Sequence, residues 1–374
     1  MTRHDDTEPR QRLRDLGITI GRFPTGEHNA ITDVAGVRVG HSTLISGEGP
    51  LVVGEGPVRT GVTVVQPHEG DVGLEPVFAG FHSFNGNGEM TGLLWVKESG
   101  MLTSPIAITN THSVGTVRDA LIAYEAQRLQ RPELYWSLPV VAETYDGWLN
   151  DINGMHVRQE HVWAALDSAA TGPVAEGCVG GGTGMNCHEF KGGIGTSSRV
   201  LPEDQGGWTV GVLVQANYGD RHLLRVDGVP VGDLIPYDEV PGLSEARRRA
   251  RDGSIIIVIA TDAPLLPHQC DRLAQRGTVG LARVGGVGAN SSGDIFICFA
   301  TGNRGLPGSE ERTRRVADCR MVSPDAMTPL FEACAEATEE AILNALCMAT
   351  TTTGNHGRVS YALPLARVRQ IVCS

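Results

Sequence analysis

The stretch Asp252-Gly253-Ser254-Ile255-Ile256-Ile257-Val258-Ile259-Ala260 decides how this chain is read. Its apolar run is that of a buried strand, and the run opens on a hydroxyl that follows a residue with no Cβ. Serine is a poor strand former and adds no packing there, while glycine tolerates dihedrals that other residues do not. The pair suits a peptide bond held so that the Ser254 hydroxyl attacks the Gly253 carbonyl. Cleavage would free an α-amino group on the nucleophilic residue itself. Such an amine has a reference pKa of roughly 7.7–8.0 and can act as a base near neutrality. Taken alone, the dipeptide is better explained as a turn that launches a core strand; the rest of the chain must decide.

The 374 residues suffice for a large core, and 41% apolar with 20% charged residues is ordinary globular composition. Forty-eight glycines cluster in loops without a collagen period, as tight turns and close backbone approach around a site require. A net charge of −12 argues against nucleic acid as a partner. The basic run Arg247, Arg248, Arg249 and Arg251 reads as a solvated linker rather than a binding patch. Eight cysteines form no CxxC pair or tight Cys/His cluster, and no HExxH occurs, so a structural zinc site is not expected, and the chemistry read at Ser254 needs neither a metal nor an organic cofactor. The polar start Met1-Thr2-Arg3-His4-Asp5-Asp6 and the lack of a run of membrane-spanning length predict a cytoplasmic protein without membrane contact.

Residues 1 to about 28 read as a charged surface arm. Strands are predicted at 36–40, 61–65, 105–109, 208–216, 254–260 and 294–300. Helices are predicted at 114–129, 267–282 and 324–348, the last with a wide apolar stripe for core packing. Irregular alternation of strands and helices fits mixed sheets covered by helices, in a layered α/β arrangement, better than a doubly wound fold.

Several short motifs are candidates for chemistry. Glycine runs at 180–184 and 192–195 fail both the Walker and the dinucleotide spacings; they serve either as tight turns or as backbone amides that approach a substrate. Glu143 and Tyr145 end an apolar run and share a strand face, either as a phenol donor and a carboxylate for a neighbour or a substrate ammonium, or as routine exposed residues at a strand end. Asn217 closes another strand, either as an oxyanion-binding amide or as an Asx-turn. His112 reads as a hydrogen-bonded structural histidine near a helix start. Hydroxyls in Asn290-Ser291-Ser292-Gly293-Asp294 either support a nucleophile or form a polar turn.

In combination, 29–34, 84–89, 108–115, 143–147, 182–185, 190–196, 252–255, 292–295 and 351–354 resemble the L-aminopeptidase/D-esterase family, which includes the β-peptidyl aminopeptidases. The resemblance runs from about residue 15 to the C-terminus. It implies a four-layer αββα sandwich with the layering of N-terminal-nucleophile hydrolases but a different connectivity. It also implies self-cleavage between Gly253 and Ser254 into an α-chain, 1–253, and a β-chain, 254–374, that stay together as one structural domain. Ser254 then matches the nucleophile, Asn217 and Tyr145 the oxyanion donors, Glu143 the acidic residue before that tyrosine, and Ser292 the supporting serine. Ser291 and Asn290 remain alternatives for a second supporting position. The substrate implied is a short peptide, amide or ester with a free N-terminal amine, the assembly a homotetramer of α/β pairs. An acyltransferase of the ornithine acetyltransferase type is the alternative, although that family usually presents threonine at the cleavage point.

Overall fold

The computed structural model describes residues 9–128, 135–243, 253–308 and 316–373. The basic run at 247–251 and Asp252 lie outside the described residues. In chain order, the first half gives β1 (Arg38–Ser46), β2 (Val58–Gln66), β3 (Val77–Gly86), α1 (Leu93–Ser99), β4 (Met101–Leu102) and β5 (Ile106–Asn110). Then come α2 (Val114–Arg128), β6 (Val140–Thr144), α3 (Gln159–Asp167), β7 (Asn186–Cys187), β8 (Phe190–Lys191), β9 (Gly193–Val200) and β10 (Thr209–Asn217). The remainder supplies β11 (Gly253–Thr261), α4 (Pro267–Ala274), α5 (Gly277–Val284), β12 (Ser292–Ala300), α6 (Met327–Met348) and α7 (Leu365–Val372).

Two mixed sheets result. One has the order β1-β2-β5-β6, the other β4-β3-β12-β11-β10-β9. Strand β11 pairs antiparallel with β10 and parallel with β12. Its uninterrupted apolar run is explained by burial on both faces. Ile255, Ile257 and Ile259 share an apolar cluster with Leu273 of α4, Leu281 of α5 and Leu330 of α6. Ile256, Val258 and Ala260 point the other way and cluster with Ile106, Ile108, Val140 and Ala142 of the four-stranded sheet. That sheet's opposite face, including Val62, Val64 and Val141, packs on Val117 and Leu121 of α2 and Val162 and Leu166 of α3. Among the described residues no helix is long and apolar enough to cross a membrane.

Two expectations are corrected. From residue 9 onward the N-terminal segment is a clasp rather than an arm: Leu13, Leu16, Ile18, Ile20 and Phe23 are buried in the helix-side core. Its charges are used internally. The Arg10 guanidinium donates to the Cys347 and Leu346 carbonyls at 2.7 and 3.2 Å, satisfying acceptors that the end of α6 leaves open. The helix expected over 267–282 is two helices, α4 and α5, separated at Gln275 and Arg276. Gly280 lets α5 approach α6 closely, since a Cβ there would lie 2.5 Å from the Thr338 Cβ.

Candidate active site

Ser254 stands second in β11, directly across from Asn217 of β10 and beside Gly293 of β12. It shares a strand face with Ile256 and Val258, so its side chain faces the four-stranded sheet. The hydroxyl donates to the Gly253 carbonyl oxygen at 2.6 Å and accepts from the Gly293 N–H at 3.2 Å. The hydroxyl therefore lies against the carbonyl of the peptide bond that precedes its own residue.

Gly253 does not supply unusual dihedrals, contrary to the expectation from the dipeptide; its φ lies outside the left-handed region. Space is the reason for glycine here. A Cβ would sit 3.0 Å from the Tyr218 Cα and 3.1 Å from the Asn217 carbonyl oxygen.

Asn217 lies within β10 and is fully buried, so the Asx-turn alternative falls away. Its Oδ1 accepts from the Asn186 N–H at 2.9 Å, and its Nδ2 donates to the Tyr145 carbonyl at 3.0 Å. Two residues earlier on the same face, Gln215 Nε2 reaches the Thr109 carbonyl and Thr144 Oγ1 at 3.0 and 2.8 Å. These amides tie β10 to the ends of β5 and β6, and so carry Glu143 and Tyr145 to the edge of the sheet where Ser254 lies.

A cleft of about 620 Å³ opens over Ser254, lined by Gly253, Ser291, Tyr145, Glu143, Glu89, Thr111, Asn87 and Gly88. Tyr145 is 39% exposed on its wall. Glu143 is held by the Glu89 N–H at 3.0 Å on one oxygen and by the Thr111 hydroxyl on the other. Burial pushes the Glu143 pKa up, against the pull of those two donors. A cavity of about 40 Å³ also borders Gly253, lined by Ser292, Asp294 and Tyr218 among others. There the Ser292 hydroxyl donates to Asp294 Oδ1 at 2.6 Å. Burial raises the Asp294 carboxyl to about 6, opposed by Ser292 and by the Ile255 backbone.

The structure thus brings Ser254, Asn217, Tyr145, Glu143 and Ser292 around one point. Of the two alternatives for a further supporting residue, Ser291 lines the cleft and Asn290 is exposed. Sequence reasoning did not assign Asp294, Glu89 or Thr111. Asp294 had a signal: it lies two residues after Ser292 in a strand and so shares its face. The glycine run at 180–184 is a buried turn whose Gly180 and Gly181 N–H groups go to the Thr43 and Thr63 hydroxyls, at 2.8 and 3.2 Å. Those amides are therefore not aimed at a substrate. His112 is exposed in the turn Thr111–Ser113, and it is Thr111 that reaches Glu143.

The model of peptidase family S58 matches residues 29–360. The β-peptidyl aminopeptidase BapA of Sphingosinicella microcystinivorans is 50% identical over 369 residues, covering 96% of this chain and 91% of that protein. A β-aminopeptidase from Burkholderia sp. superposes with a TM-score of 0.89 at 55% identity, over 97% of this chain and 99% of that one. The L-aminopeptidase D-Ala-esterase/amidase of Ochrobactrum anthropi, described as a prototype for serine aminopeptidases and a new variant among the Ntn hydrolase fold, matches with a TM-score of 0.87 at 42% identity over 98% of both chains. The acetyltransferase alternative gains no support from these relatives. With Ser254 near the head of the central strand and nearly its whole length matched, the chain belongs to peptidase family S58.

Proposed function

We propose that this protein is a self-processing serine aminopeptidase whose nucleophile, Ser254, becomes an N-terminus by cutting the chain before itself. The observation that carries the reading is the Ser254 hydroxyl at 2.6 Å from the Gly253 carbonyl oxygen, with the Gly293 N–H donating to it. In the first stage Oγ attacks the Gly253 carbonyl carbon. The C–N bond breaks, the proton passes to the departing nitrogen, and an ester joins Gly253 to Ser254. Water hydrolyses that ester and leaves 1–253 and 254–374 as separate chains.

In the second stage the freed amine takes the Ser254 proton as the hydroxyl attacks a substrate carbonyl. Asn217 Nδ2 and the Tyr145 phenol donate to the oxyanion, where donors placed in advance act most strongly. The acyl-enzyme forms as the protonated amine gives its proton to the leaving nitrogen, and water completes the turnover. Glu143, with Glu89 beside it, gives the cleft the negative charge suited to a substrate's terminal ammonium. Ser292 and Asp294 hold the proton network behind the nucleophile. The substrate is a short peptide, amide or ester with a free amine.

The three apolar clusters support the finer fold reading, helix, sheet, sheet, helix in four layers. A homotetramer of α/β pairs belongs to the same proposal, and light scattering of processed protein checks it.

A denaturing gel with N-terminal sequencing tests the core claim. Two bands are expected, the smaller beginning Ser-Ile-Ile-Ile, and Ser254→Ala should stay whole and inactive. Active protein consisting only of intact chain would refute the mechanism.

A further inference from the structure

Lys191 of β8 is fully buried, yet among the described residues no carboxylate accepts from it. Its Nζ donates to the carbonyls of Met185 at 2.7 Å, Gly192 at 2.8 Å and Gly182 at 3.4 Å. An ammonium taken out of water is costly unless its surroundings compensate it, and an apolar side chain of similar length would avoid the cost. Something therefore favours a cation here. Burial draws the Lys191 pKa down, while neighbouring Cys178 and Asp146 draw it up.

The Met185 carbonyl belongs to the peptide group whose N–H, on Asn186, donates to Asn217 Oδ1 at 2.9 Å. The same carbonyl also accepts from the Gly192 N–H at 2.9 Å. One rigid, planar unit thus has Lys191 at one end and Asn217 at the other. Donation to a peptide oxygen polarises the group and strengthens its N–H as a donor. That N–H fixes which end of the Asn217 amide is oxygen. With the Nδ2 then pointing to the Tyr145 carbonyl at 3.0 Å, its second hydrogen is left for an oxyanion.

We propose that Lys191 is a positioning residue that, through the Met185–Asn186 peptide, locks the Asn217 amide in the orientation that serves the oxyanion on Ser254. The inference rests on the reading of Asn217 as an oxyanion donor. Lys191 touches neither substrate nor nucleophile, so its effect belongs to kcat and passes entirely through Asn217.

A double-mutant cycle separates the two claims. Asn217→Ala should lower kcat by about 10²–10³-fold. Lys191→Met should lower it by roughly 10–100-fold with KM within about twofold, the range expected when a catalytic donor is slightly misplaced. The double variant should be no slower than Asn217→Ala, because the lever then has nothing to hold. Lys191→Arg, which keeps the charge but cannot reproduce three convergent donors, should fall between. Should a variant stall before processing, the half-time of precursor cleavage is the readout, since it uses the same oxyanion.

Losses that multiply in the double variant overturn the proposal, as does wild-type kcat in Lys191→Met. Insoluble Lys191→Met and Lys191→Arg beside soluble Asn217→Ala would assign Lys191 to folding and also overturn it. Wild-type kcat in Asn217→Ala removes the oxyanion reading and this inference with it; a crippled Asn217→Ala beside a normal Lys191→Met removes this inference alone.

Discussion

Glu143 is almost wholly buried, and two donors hold its carboxylate toward the cleft over Ser254. Burial raises its pKa, so ionisation is lost at a higher pH than for a free glutamate. If it anchors a substrate ammonium, KM for amine-bearing substrates should rise as pH falls through that raised value. Glu143→Gln should lower kcat/KM for such substrates by about 10–100-fold, the equivalent of about 1.5–3 kcal/mol for a charged hydrogen bond. An activated ester lacking the amine should be unaffected, and equal losses on both would remove Glu143 from amine recognition. Asp294 gives a second test. It accepts from Ser292 when ionised, and burial raises it to about 6. The acid limb of kcat should therefore contain an ionisation near pH 6 besides that of the Ser254 amine, and Asp294→Asn should leave only the latter. Ser254, Asn217, Tyr145 and Glu143 were singled out in the sequence through the combination of motifs that carries the family resemblance, since each one alone reads equally well as an ordinary residue at a strand start or end. Asp294 was not assigned, since in Ser292-Gly293-Asp294 the hydroxyl drew the reading and the carboxylate two residues on did not. Lys191 was legible only as a failed phosphate loop, because nothing local in sequence reveals that its ammonium is buried against carbonyls.

Strands and helices with a strong period were found where expected, as with β2, β5, β11 and α2. β9 was missed for a physical reason. Gly193 and Gly195 make it look like a loop, but a Cβ at Gly195 would lie 2.0 Å from the Ala341 carbonyl, so glycine is what lets α6 lie on the strand. The charges on that contact were equally hidden. Arg199 of β9 is fully buried and pairs with Glu336 at 3.1 Å and Glu340 at 2.7 Å, both on α6, while Arg14 of the N-terminal clasp reaches Glu340 at 2.8 Å. Burial disfavours ionised Glu340, yet Arg14 and Arg199 hold its pKa below the usual range. Such a group contributes stability above its unfolded pKa, and that contribution is lost as pH falls through the depressed folded value. Breaking a buried pair leaves the partner charge uncompensated. Glu340→Gln should destabilise the protein by about 3–5 kcal/mol at neutral pH, read as a shift of the urea midpoint. The deficit should shrink as the pH is lowered past the point where wild-type Glu340 takes up its proton. A midpoint within experimental error of wild type would mean that water, not the fold, compensates Arg199.

The cut proposed before Ser254 divides the molecule in sequence but not in space. In the six-stranded sheet, β12 and, from Ser254 onward, β11 come from residues after the cut and lie side by side in the middle. On one flank stand β3 and β4, on the other β10 and β9, all from residues before it. Every residue of β11 and β12 is buried. Separating the chains would break the ladders with β3 and β10 and expose both faces of the central pair. Burying one isoleucine alone contributes about 1.5–3 kcal/mol, and β11 carries four. The clasp adds to this, because Arg10 and Arg14 precede the cut and grip α6, which follows it. Processed protein should therefore elute as one species in native buffer while showing two bands under denaturing conditions. Both fragments should lose structure together at a single denaturant midpoint. Expressed alone, 254–374 should fail to fold, since its two central strands would lack neighbours on both sides. Co-expressed with 1–253, it should assemble and, once its initiating methionine is removed, be active without any cleavage. Recovery of two separately folded fragments from native chromatography would contradict this interleaving and, with it, the placement of Ser254 at the head of a central strand in a sheet shared by both chains.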